Sequence, residues 1–242
     1  FEGWTVLEPG EAVSLRGATL AVQGDGSLLA GGDDPEFDTY RITLRTDLTG
    51  IVALRLEAIP DPALPARGSS RSANTNFSLT EVEVRAAPER KRGRLQPVAF
   101  RGAYQNRCRE GHAAEKLIDG DAGTGWTVEG TSRGGPGLAV LLLQDPLGFE
   151  GGTVLEVTMR HQSPWKHHNI GRFRFSATDR EELARELAPP PPDPLEKRVG
   201  DATLRGIRFL IGRQHPDGSW FNWLEQKYHA GTTALCASAL FK

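Results

Sequence analysis

At 242 residues, the chain is long enough for one large domain, or for one domain and part of a second. Its 38% hydrophobic and 25% charged residues are typical of a folded globular protein. A net charge of −2 gives no general attraction to nucleic acid or to an anionic membrane. No apolar run approaches the ~20 residues of a membrane-spanning helix. We therefore expect neither a nucleic-acid partner nor a membrane span.

The two cysteines and the first residue indicate whether to expect disulfides, a haem group or further domains. Cys108 and Cys236 lie on opposite sides of a proline-rich stretch, so we expect no disulfide framework. Cys108 opens the sequence Cys-Arg-Glu-Gly-His, which lacks the second cysteine of the haem-attachment spacing C-x-x-C-H, and we expect no haem site. The chain starts at Phe1 without Met or a signal peptide, so we expect a piece of a longer protein with further domains.

Short apolar runs broken by Gly, Asp and Pro dominate the first 178 residues, which is typical of many short strands. Several runs alternate apolar and polar residues with a period of two, as half-buried strands do. Residues 85–94 are rich in Arg but lack interleaved aromatic residues, so they indicate a solvated connecting loop. The pattern predicts a mainly β chain, an antiparallel β-sandwich with a short α-helical C-terminal segment. The predicted strands are 18–22, 27–30, 39–44, 51–58, 77–84, 98–103, 138–143, 153–159 and 172–177.

A domain boundary is predicted at Pro189–Pro192, which cannot be helical and forms a stiff spacer. Just before it, Thr178-Asp179-Arg180-Glu181 has the S/T-x-x-E form of a capping box and predicts a short helix to about Ala188. We therefore divide the chain into a β-sandwich (1–178), a short helix with a proline-rich linker (179–194) and a helical segment (195–242).

The last segment changes to helical spacing. Leu204, Ile207, Leu210 and Ile211 recur at this spacing, and residues 214–220 carry the pattern Q-x-x-D-G-S-W. This pattern resembles the repeat of squalene-cyclase and prenyltransferase α/α toroids, in which Gln and Trp lock neighbouring helices together. The resemblance implies the first repeat of an incomplete toroid, since about three or more repeats are needed for stability. The acidic motif D-x-D-D of the cyclases is absent from this sequence.

The stretch Lys116–Trp126 places two carboxylates, three glycines and a threonine between apolar residues. Glycines allow tight turns with carbonyl oxygens directed inward, and Ca²⁺ prefers Asp, Thr and carbonyl oxygens as ligands. Two interpretations stay open at this point: a hydrogen-bonded Asx-type turn between strands, or a Ca²⁺-binding loop.

The same stretch resembles the opening loop of discoidin-type (coagulation factor type C, galactose-binding-like) β-sandwiches, with the pattern A-x-D-G-x-x-x-T-x-W. The resemblance implies a galactose-binding-like jelly roll with a structural Ca²⁺. In that family the last ligand of the cation is a Glu in a closing strand with apolar residues around it. Phe77–Val84 has this form, with Glu81 at the position of that Glu. Because this strand precedes the loop here, the sandwich would be permuted or extended. The implied ligands are the carbonyls of Lys116, Asp121 and Thr80, the carboxylates of Asp119 and Glu81, and Thr124.

A second candidate site is the loop His161–Asn169, which is rich in groups that bind rather than pack. Trp165 could stack on a sugar face while His167, His168 and Asn169 hydrogen-bond its hydroxyls. Alternatively, Trp165 folds back onto the sandwich and the histidines are solvated. A zinc site from His161, His167 and His168 has the right atoms, but adjacent histidines on an extended loop tend to diverge.

No nucleophile–base pair or phosphate loop is present in the sequence, which favours a non-catalytic binding module. The resemblance of residues 1–178 to modules of large exported bacterial proteins implies a carbohydrate or cell-surface ligand. It also implies an extracytoplasmic location, in the periplasm or at the cell surface. Two alternatives stay open: the N-terminal part of a toroid-bearing cyclase or prenyltransferase whose active site lies beyond residue 242, and a structural spacer.

Overall fold

A computed structural model describes residues 2–90, 94–128, 135–185, 188 and 203–209. Strands dominate residues 5–178, and none of the helices in the described residues is long and apolar enough to span a membrane. Short 3-10 turns cover Pro65–Arg67 and Ala114–Leu117, helix α1 covers Glu181–Ala184, and residues 203–209 are also helical. The strands are β1 Thr5–Val6, β2 Glu8–Ser14, β3 Ala18–Val22, β4 Leu28–Gly32, β5 Asp38–Thr46, β6 Ile51–Ala58, β7 Phe77–Leu79, β8 Glu81–Pro88, β9 Gln96–Pro97, β10 Phe100–Gln105, β11 Trp126–Val128, β12 Gly137–Leu147, β13 Thr153–His161 and β14 Arg172–Thr178.

Within the described residues these strands form two large sheets and one small ribbon, and every pairing is antiparallel. One sheet has the order β10-β12-β6-β14-β4-β3, with β1 also paired to β14, and the other has the order β2-β5-β13-β8-β9. The ribbon consists of β7 and β11, with Trp126 opposite Leu79 and Val128 opposite Phe77. The predicted fold class, an antiparallel β-sandwich with a short helical segment, is confirmed.

The main core is a continuous cluster of buried apolar residues contributed by strands of both large sheets. In strand β6, successive side chains point to opposite faces of the sheet. Leu54 and Leu56 therefore belong to this cluster, whereas Ala53 belongs to a second one. The second cluster also contains Trp4 and Ala184, so β6 buries both of its faces. This explains why Ile51–Ala58 is almost uniformly buried rather than half-exposed, as the period-two pattern predicted.

Two sequence predictions differ from the structure around Thr80. The predicted strand 77–84 is broken there into β7 and β8, which belong to different sheets. The break arises because Thr80 turns both its backbone N–H (2.7 Å) and its hydroxyl (2.8 Å) to the carbonyl of Arg160. The predicted connecting loop also begins too early, since Arg85–Pro88 continue β8 and pair with Thr153–Glu156.

The predicted capping box is wrong. Thr178 is the last residue of β14, and its hydroxyl donates to the carbonyl of Gly3 at 2.9 Å. The residue before the helix is therefore Arg180, which makes no side-chain cap, and Glu181 pairs with Arg101 and Arg185 instead. The helix ends at Ala184, four residues before the predicted end.

The chain forms two compact units, Phe1–Ala188 and Pro189–Lys242. The proline-rich part of the predicted linker, residues 189–194, lies outside the described residues, and so do residues 210–242, on which the toroid resemblance depends. In the second unit, residues 203–209 are helical, as the spacing of Leu204 and Ile207 predicts.

Candidate ligand pocket and cation loop

The Asp119 loop (residues 116–124) is organised by hydrogen bonds that converge on Asp119 and Asp121. The Asp119 carboxylate accepts bonds from the backbone N–H of Asp121 (3.0 Å) and the hydroxyl of Thr124 (2.8 Å). The Asp121 carbonyl accepts from the Thr124 N–H, and the Asp121 carboxylate accepts from the N–H of Gly123. Lys116 places its ammonium 3.4 Å from Asp119 Oδ2. The loop thus has the geometry of a hydrogen-bonded Asx-type turn. Its oxygen atoms also lie close together, as a Ca²⁺-binding loop requires.

Glu81 lies beside this loop. Burial, and next the repulsion of the Asp119 carboxylate, raise the pKa of Glu81 to about 7, although a hydrogen bond from the Gly120 N–H opposes this. Partial burial acts against ionisation of Asp119 as well, but the hydrogen bonds from Asp121 and Thr124 outweigh it and lower the pKa of Asp119. One carboxylate from a loop and one from the start of β8 therefore share one small, largely solvent-exposed region.

The donors present fit a hard cation. The Asp119 and Glu81 carboxylates repel each other, and the Thr124 hydroxyl and the Asp121 carbonyl lie in the same loop. Carboxylate, hydroxyl and carbonyl oxygens are the ligands that Ca²⁺ takes. The Lys116 ammonium is the cation beside Asp119 in the structure, so a bound metal ion would displace it. The described residues contain no cluster of three or more His, Cys, Asp or Glu side chains suited to a metal, so this site depends on its two carboxylates and on neutral oxygens.

A separate pocket of about 120 Å³ lies against the Trp165 loop (residues 162–171). We call it the Trp165 pocket. Its lining is polar apart from one indole ring, and it combines segments that are far apart in sequence. The lining residues are Asn74, Asn76, Arg109, Thr127, Trp165 and His168.

Backbone hydrogen bonds hold these segments together. The N–H of Ser78 in β7 donates to the carbonyl of His168 at 2.8 Å, which fixes the Trp165 loop against the small ribbon. The N–H of Arg109 donates to the carbonyl of Thr127 at 2.8 Å, which fixes residues 107–112 against the other strand of that ribbon. The ribbon is anchored in the core, because Trp126 is fully buried and meets the Phe77 ring edge-on with centroids 5.0 Å apart. Its position therefore sets the shape of the pocket.

A short chain of side-chain hydrogen bonds orients His168 and Asn74. His168 Nδ1 lies 2.8 Å from the carbonyl of Lys166, so this nitrogen carries the proton. His168 Nε2 then accepts from the Asn74 amide nitrogen at 3.1 Å. The Asn74 oxygen accepts from the hydroxyl of Ser72 (2.9 Å) and the N–H of Asn76 (3.0 Å). These hydrogen bonds thus fix the orientation of the Asn74 and His168 side chains in the wall of the pocket.

Trp165 is half-buried at this pocket. The His112 ring meets it edge-on at 5.1 Å, and the guanidinium carbon of Arg109 lies 5.8 Å from its ring centroid. Thr127 lies under the pocket, is 1% exposed, and its hydroxyl has no hydrogen-bond partner in the structure. A buried hydroxyl left without a partner costs free energy, and a ligand oxygen in the pocket could relieve it.

Two residues next to the pocket have left-handed backbone conformations that side chains rarely adopt. Thr75 has φ 66°, between Asn74 and Asn76, and His167 has φ 60°, beside His168. Such conformations cost about 1–3 kcal/mol each and cluster at binding sites. The strain supports a binding role for this end of the molecule.

The four residues predicted to bind ligand occupy different environments. Trp165 and His168 line the pocket. His167, in contrast, is exposed, and its Nδ1 lies 3.0 Å from the Asp34 carbonyl oxygen. Asn169 is 1% exposed, and its amide donates to the carbonyl of Pro35 at 2.8 Å. The structure therefore brings together two of the four, and it places Asn169 within the supporting loop.

The zinc hypothesis is wrong for the described residues, which contain no cluster of metal-binding side chains. His161 ends β13 as a buried residue, with its ring 4.8 Å from that of Tyr40, while His167 and His168 lie on the outer loop. Burial lowers the pKa of His161 to about 3, so this histidine is a neutral core residue.

Sequence reasoning missed four lining residues, namely Asn74, Asn76, Arg109 and Thr127. The sequence held a weak signal for two of the segments that contribute these residues. Residues 68–76 are almost entirely polar and lie between the predicted strands 51–58 and 77–84, and Cys108–His112 comes close to a haem-attachment spacing. Cys108 is exposed with a free thiol, and the pocket uses its neighbour Arg109.

No known family model matches the sequence, and no curated protein does either. A solved structure described as the CBM32-1, CBM32-2 and M60 catalytic domains from Clostridium perfringens ZmpB is similar at 10% sequence identity. The match covers 74% of this chain and 15% of that chain, with a TM-score of 0.32. A TM-score of this size carries no argument about fold or function.

Proposed function

We propose that the β-sandwich is a non-catalytic, Ca²⁺-stabilised module of a larger exported protein, and that it binds a carbohydrate or cell-surface ligand at the Trp165 pocket. The observation that carries the proposal is the juxtaposition of a half-buried indole with a guanidinium, two amides and a hydroxyl. An indole face packs against the C–H face of a sugar ring, and the polar groups read its hydroxyls.

A binding role is favoured over catalysis by what lines the pocket. Its described lining residues include neither a carboxylate nor a cysteine, and the Thr127 hydroxyl has no base bonded to it. General acid–base or nucleophilic catalysis requires such pairs within hydrogen-bond reach.

The proposed location outside the cytoplasm agrees with the chemistry of the Asp119 loop. The site combines the Asp119 carboxylate of the loop with the neighbouring Glu81 carboxylate, whose pKa is raised to about 7, and the loop is largely exposed. Such a site should bind Ca²⁺ weakly, with a dissociation constant of roughly 10⁻⁴–10⁻³ M, as extracellular modules do. That affinity suits the Ca²⁺ concentrations found outside cells.

A glycan array tests the proposed function. The 242-residue chain, with Ca²⁺ present, should bind a subset of saccharides, and Trp165→Ala should lose this binding without losing its fold. Leu15→Ala is the matched control, because Leu15 is an exposed apolar side chain (52%) outside the pocket. Absence of binding by the wild type, or equal binding by Trp165→Ala, would contradict the proposal.

A further inference from the structure

Strand β8 is paired along only part of one edge. On one side, β13 pairs with the whole of β8 without a shift in register. On the other side, β9 covers only Arg85 and Ala86. The N–H of Val98, just after β9, extends this contact to the Val84 carbonyl at 2.9 Å, and the chain then crosses to β10 in the other sheet. Within the described residues, Glu81–Glu83 therefore have no strand on this side.

The open edge directs main-chain groups of Val82 away from the sheet. In an antiparallel strand, the N–H and C=O groups of alternate residues point to the same side. The Val84 carbonyl points to Val98, so the N–H and C=O of Val82 point to that side as well, past the end of β9. Among the described residues, neither β9 nor a loop pairs with these two groups. An unpaired donor and acceptor on a strand edge form a template for another strand.

A groove of about 420 Å³ runs along this edge. Buried Val82 and Val84 contribute to it, and its apolar walls come from the partly buried Val98, Phe100 and Ile118. Its volume lies within the roughly 300–1,000 Å³ that is usual for ligand sites. The groove therefore offers main-chain hydrogen-bonding groups beside an apolar surface.

The rim of the groove is acidic where the edge is open. Glu81 and Glu83 alternate with buried residues along β8, so they point away from the core, and both line the groove. The two arginines nearby are paired, since Arg160 lies 2.9 Å from Glu83 and Arg85 lies 3.8 Å from Glu156. Glu81 forms no salt bridge with a described residue. A cation supplied by a partner would therefore be favoured next to Glu81.

We propose that this groove binds an extended peptide segment of a partner protein as an added strand, and that the segment alternates apolar and basic residues. An apolar residue opposite Val82 would exchange two main-chain hydrogen bonds with it and turn its side chain towards the groove walls. The basic residues on either side would then lie opposite Glu81 and Glu83, where oppositely charged cross-strand pairs stabilise a sheet. This second site shares no lining residue with the Trp165 pocket and does not depend on the proposed carbohydrate binding.

Synthetic peptides test the charge preference by calorimetric titration of the whole chain. The probe is a capped peptide of about seven residues, the length of one strand, in which lysine alternates with valine. Because Glu81 is also a proposed Ca²⁺ ligand, the buffer contains a chelator. We expect the lysine–valine peptide to bind at least about tenfold more tightly than a glutamate–valine peptide of the same length, as two cross-strand charge pairs would give.

Methylation of the peptide's main-chain nitrogens tests the pairing itself. In the added strand, the valine N–H groups point to β8 and the lysine N–H groups point to solvent. The peptide made with N-methylvaline should therefore not bind, whereas its matched control made with N-methyllysine should bind nearly as well as the parent. Hydrogen exchange at the Val82 N–H should also slow when the lysine–valine peptide is added.

A variant of the chain locates the charge effect. Glu81→Gln should weaken binding of the lysine–valine peptide several-fold and narrow its advantage over the glutamate–valine peptide. Glu181→Gln is the matched control, because Glu181 is a surface glutamate that is paired with Arg101 and lies outside the groove lining. A thermal melt shows that each variant is folded.

Each contrary result overturns a stated part of the proposal. Equal binding of the N-methylvaline peptide would exclude strand addition, and equal binding of the glutamate–valine peptide would exclude the preference for basic residues. Absence of binding by every peptide would contradict the proposal as a whole. If the chain alone forms a dimer in analytical ultracentrifugation and the lysine–valine peptide dissociates it, a second copy is the occupant and a partner peptide is wrong. The glycan array tests the Trp165 pocket independently of these results.

Discussion

The Asp119 loop and the Trp165 pocket are both rich in polar side chains, but they are built differently. Within the Asp119 loop, the hydrogen bonds among Asp119, Asp121, Gly123 and Thr124 and the ion pair of Lys116 join residues at most five positions apart. The Trp165 pocket takes its walls from the segment before β7, the segment after β10, strand β11 and the loop between β13 and β14. A local loop keeps its turns through its own hydrogen bonds, whereas an assembled pocket depends on the packing beneath it.

The small ribbon of β7 and β11 connects the two sites. Thr124 leads through Gly125 into β11, and β7 leads through Thr80 into Glu81. The carbonyl of Gly125 lies 3.3 Å from His112 Nδ1, and the His112 ring contacts Trp165. Perturbing the ribbon should therefore disturb the assembled site more than the local one.

The largest expected effect comes from Trp126, the buried anchor of the ribbon. Trp126→Ala should lower the free energy of unfolding by about 3–5 kcal/mol, the usual cost of truncating a buried aromatic residue. It removes the edge contact to Phe77 and the hydrogen bond from the indole N–H to the Arg107 carbonyl (3.2 Å). Urea denaturation measures the loss, and titration with the preferred saccharide should show that binding falls too.

Trp126→Phe is the matched control because it keeps the edge contact and loses the hydrogen bond, so its cost should be clearly smaller. Unchanged saccharide affinity in a destabilised but folded Trp126→Ala would show that the pocket does not depend on the ribbon.

This contrast also explains what the sequence could predict. The hydrogen-bonded turn of the Asp119 loop could be predicted, because its residues are consecutive and the turn chemistry of Asp, Gly and Thr is local. The Ca²⁺ ligands named there stay a prediction. Most strands were predicted as well, and Ala18–Val22 and Ile51–Ala58 match to the residue. Trp165 and His168, which line the pocket, could be proposed from the sequence because an aromatic residue among polar ones is unusual within a single loop.

The other residues could not be predicted, because their roles arise from tertiary contacts. Arg109 and Asn74 belong to the pocket through strand pairing and loop contacts that no local pattern encodes. The same cause explains two errors, since Thr80 and Thr178 each direct a hydroxyl to a distant carbonyl instead of continuing a strand or capping a helix.

Calcium should act on the local site. Saturating the Asp119 loop at a hundredfold excess over the dissociation constant should stabilise the fold by roughly 2.7 kcal/mol. Addition of a chelator should therefore lower the melting temperature of the wild type. Asp119→Ala should melt at the same temperature with and without chelator, because it lacks one of the two carboxylates.

Lys116→Met sharpens this test by removing the ammonium that competes for Asp119. It should raise Ca²⁺ affinity several-fold, since removal of a nearby like charge is worth on the order of 1 kcal/mol at a partly exposed site. A chelator that leaves the melting temperature of the wild type unchanged would show that the loop is a hydrogen-bonded turn without a metal.

The two sites should also respond to pH in opposite directions. His161, in the strand that leads into the Trp165 loop, has its pKa lowered by burial to about 3 from an ordinary 6.5. Between pH 6.5 and pH 3 the unfolded chain therefore binds a proton at His161 that the folded chain does not bind. The free energy of unfolding consequently falls as pH is lowered from 6.5 towards 3. The loss is at most about 1.4 kcal/mol per pH unit.

Glu81 has the opposite sign, because its pKa is raised to about 7 from an ordinary 4.5. The stability it contributes is present below pH 4.5 and is lost as pH rises through 7, and bound Ca²⁺ should remove this loss. Melting temperatures across pH 4–8, with and without Ca²⁺, measure both effects. His161→Phe should flatten the acid side alone; an acid side as steep as that of the wild type would show that other groups cause it.

The smallest effects concern one left-handed residue in each site. Gly120 in the Asp119 loop has φ 74° with open space around an added Cβ, so Gly120→Ala meets only backbone strain, about 1 kcal/mol. His167 in the Trp165 loop has φ 60° and is held by its N–H to the Glu36 carbonyl at 2.8 Å. Asn tolerates this conformation and a β-branched residue does not.

His167→Asn should therefore leave stability within about 0.5 kcal/mol of the wild type and keep saccharide affinity, while His167→Val should lower affinity because it shifts His168. Gly120→Ala should weaken Ca²⁺ binding and leave saccharide affinity almost unchanged, since its strain stays within a local loop. Parallel titrations of the three variants with Ca²⁺ and with the preferred saccharide decide the matter. If His167→Val binds saccharide as the wild type does, the backbone conformation beside His168 does not shape the pocket, and the strain there has no role in binding.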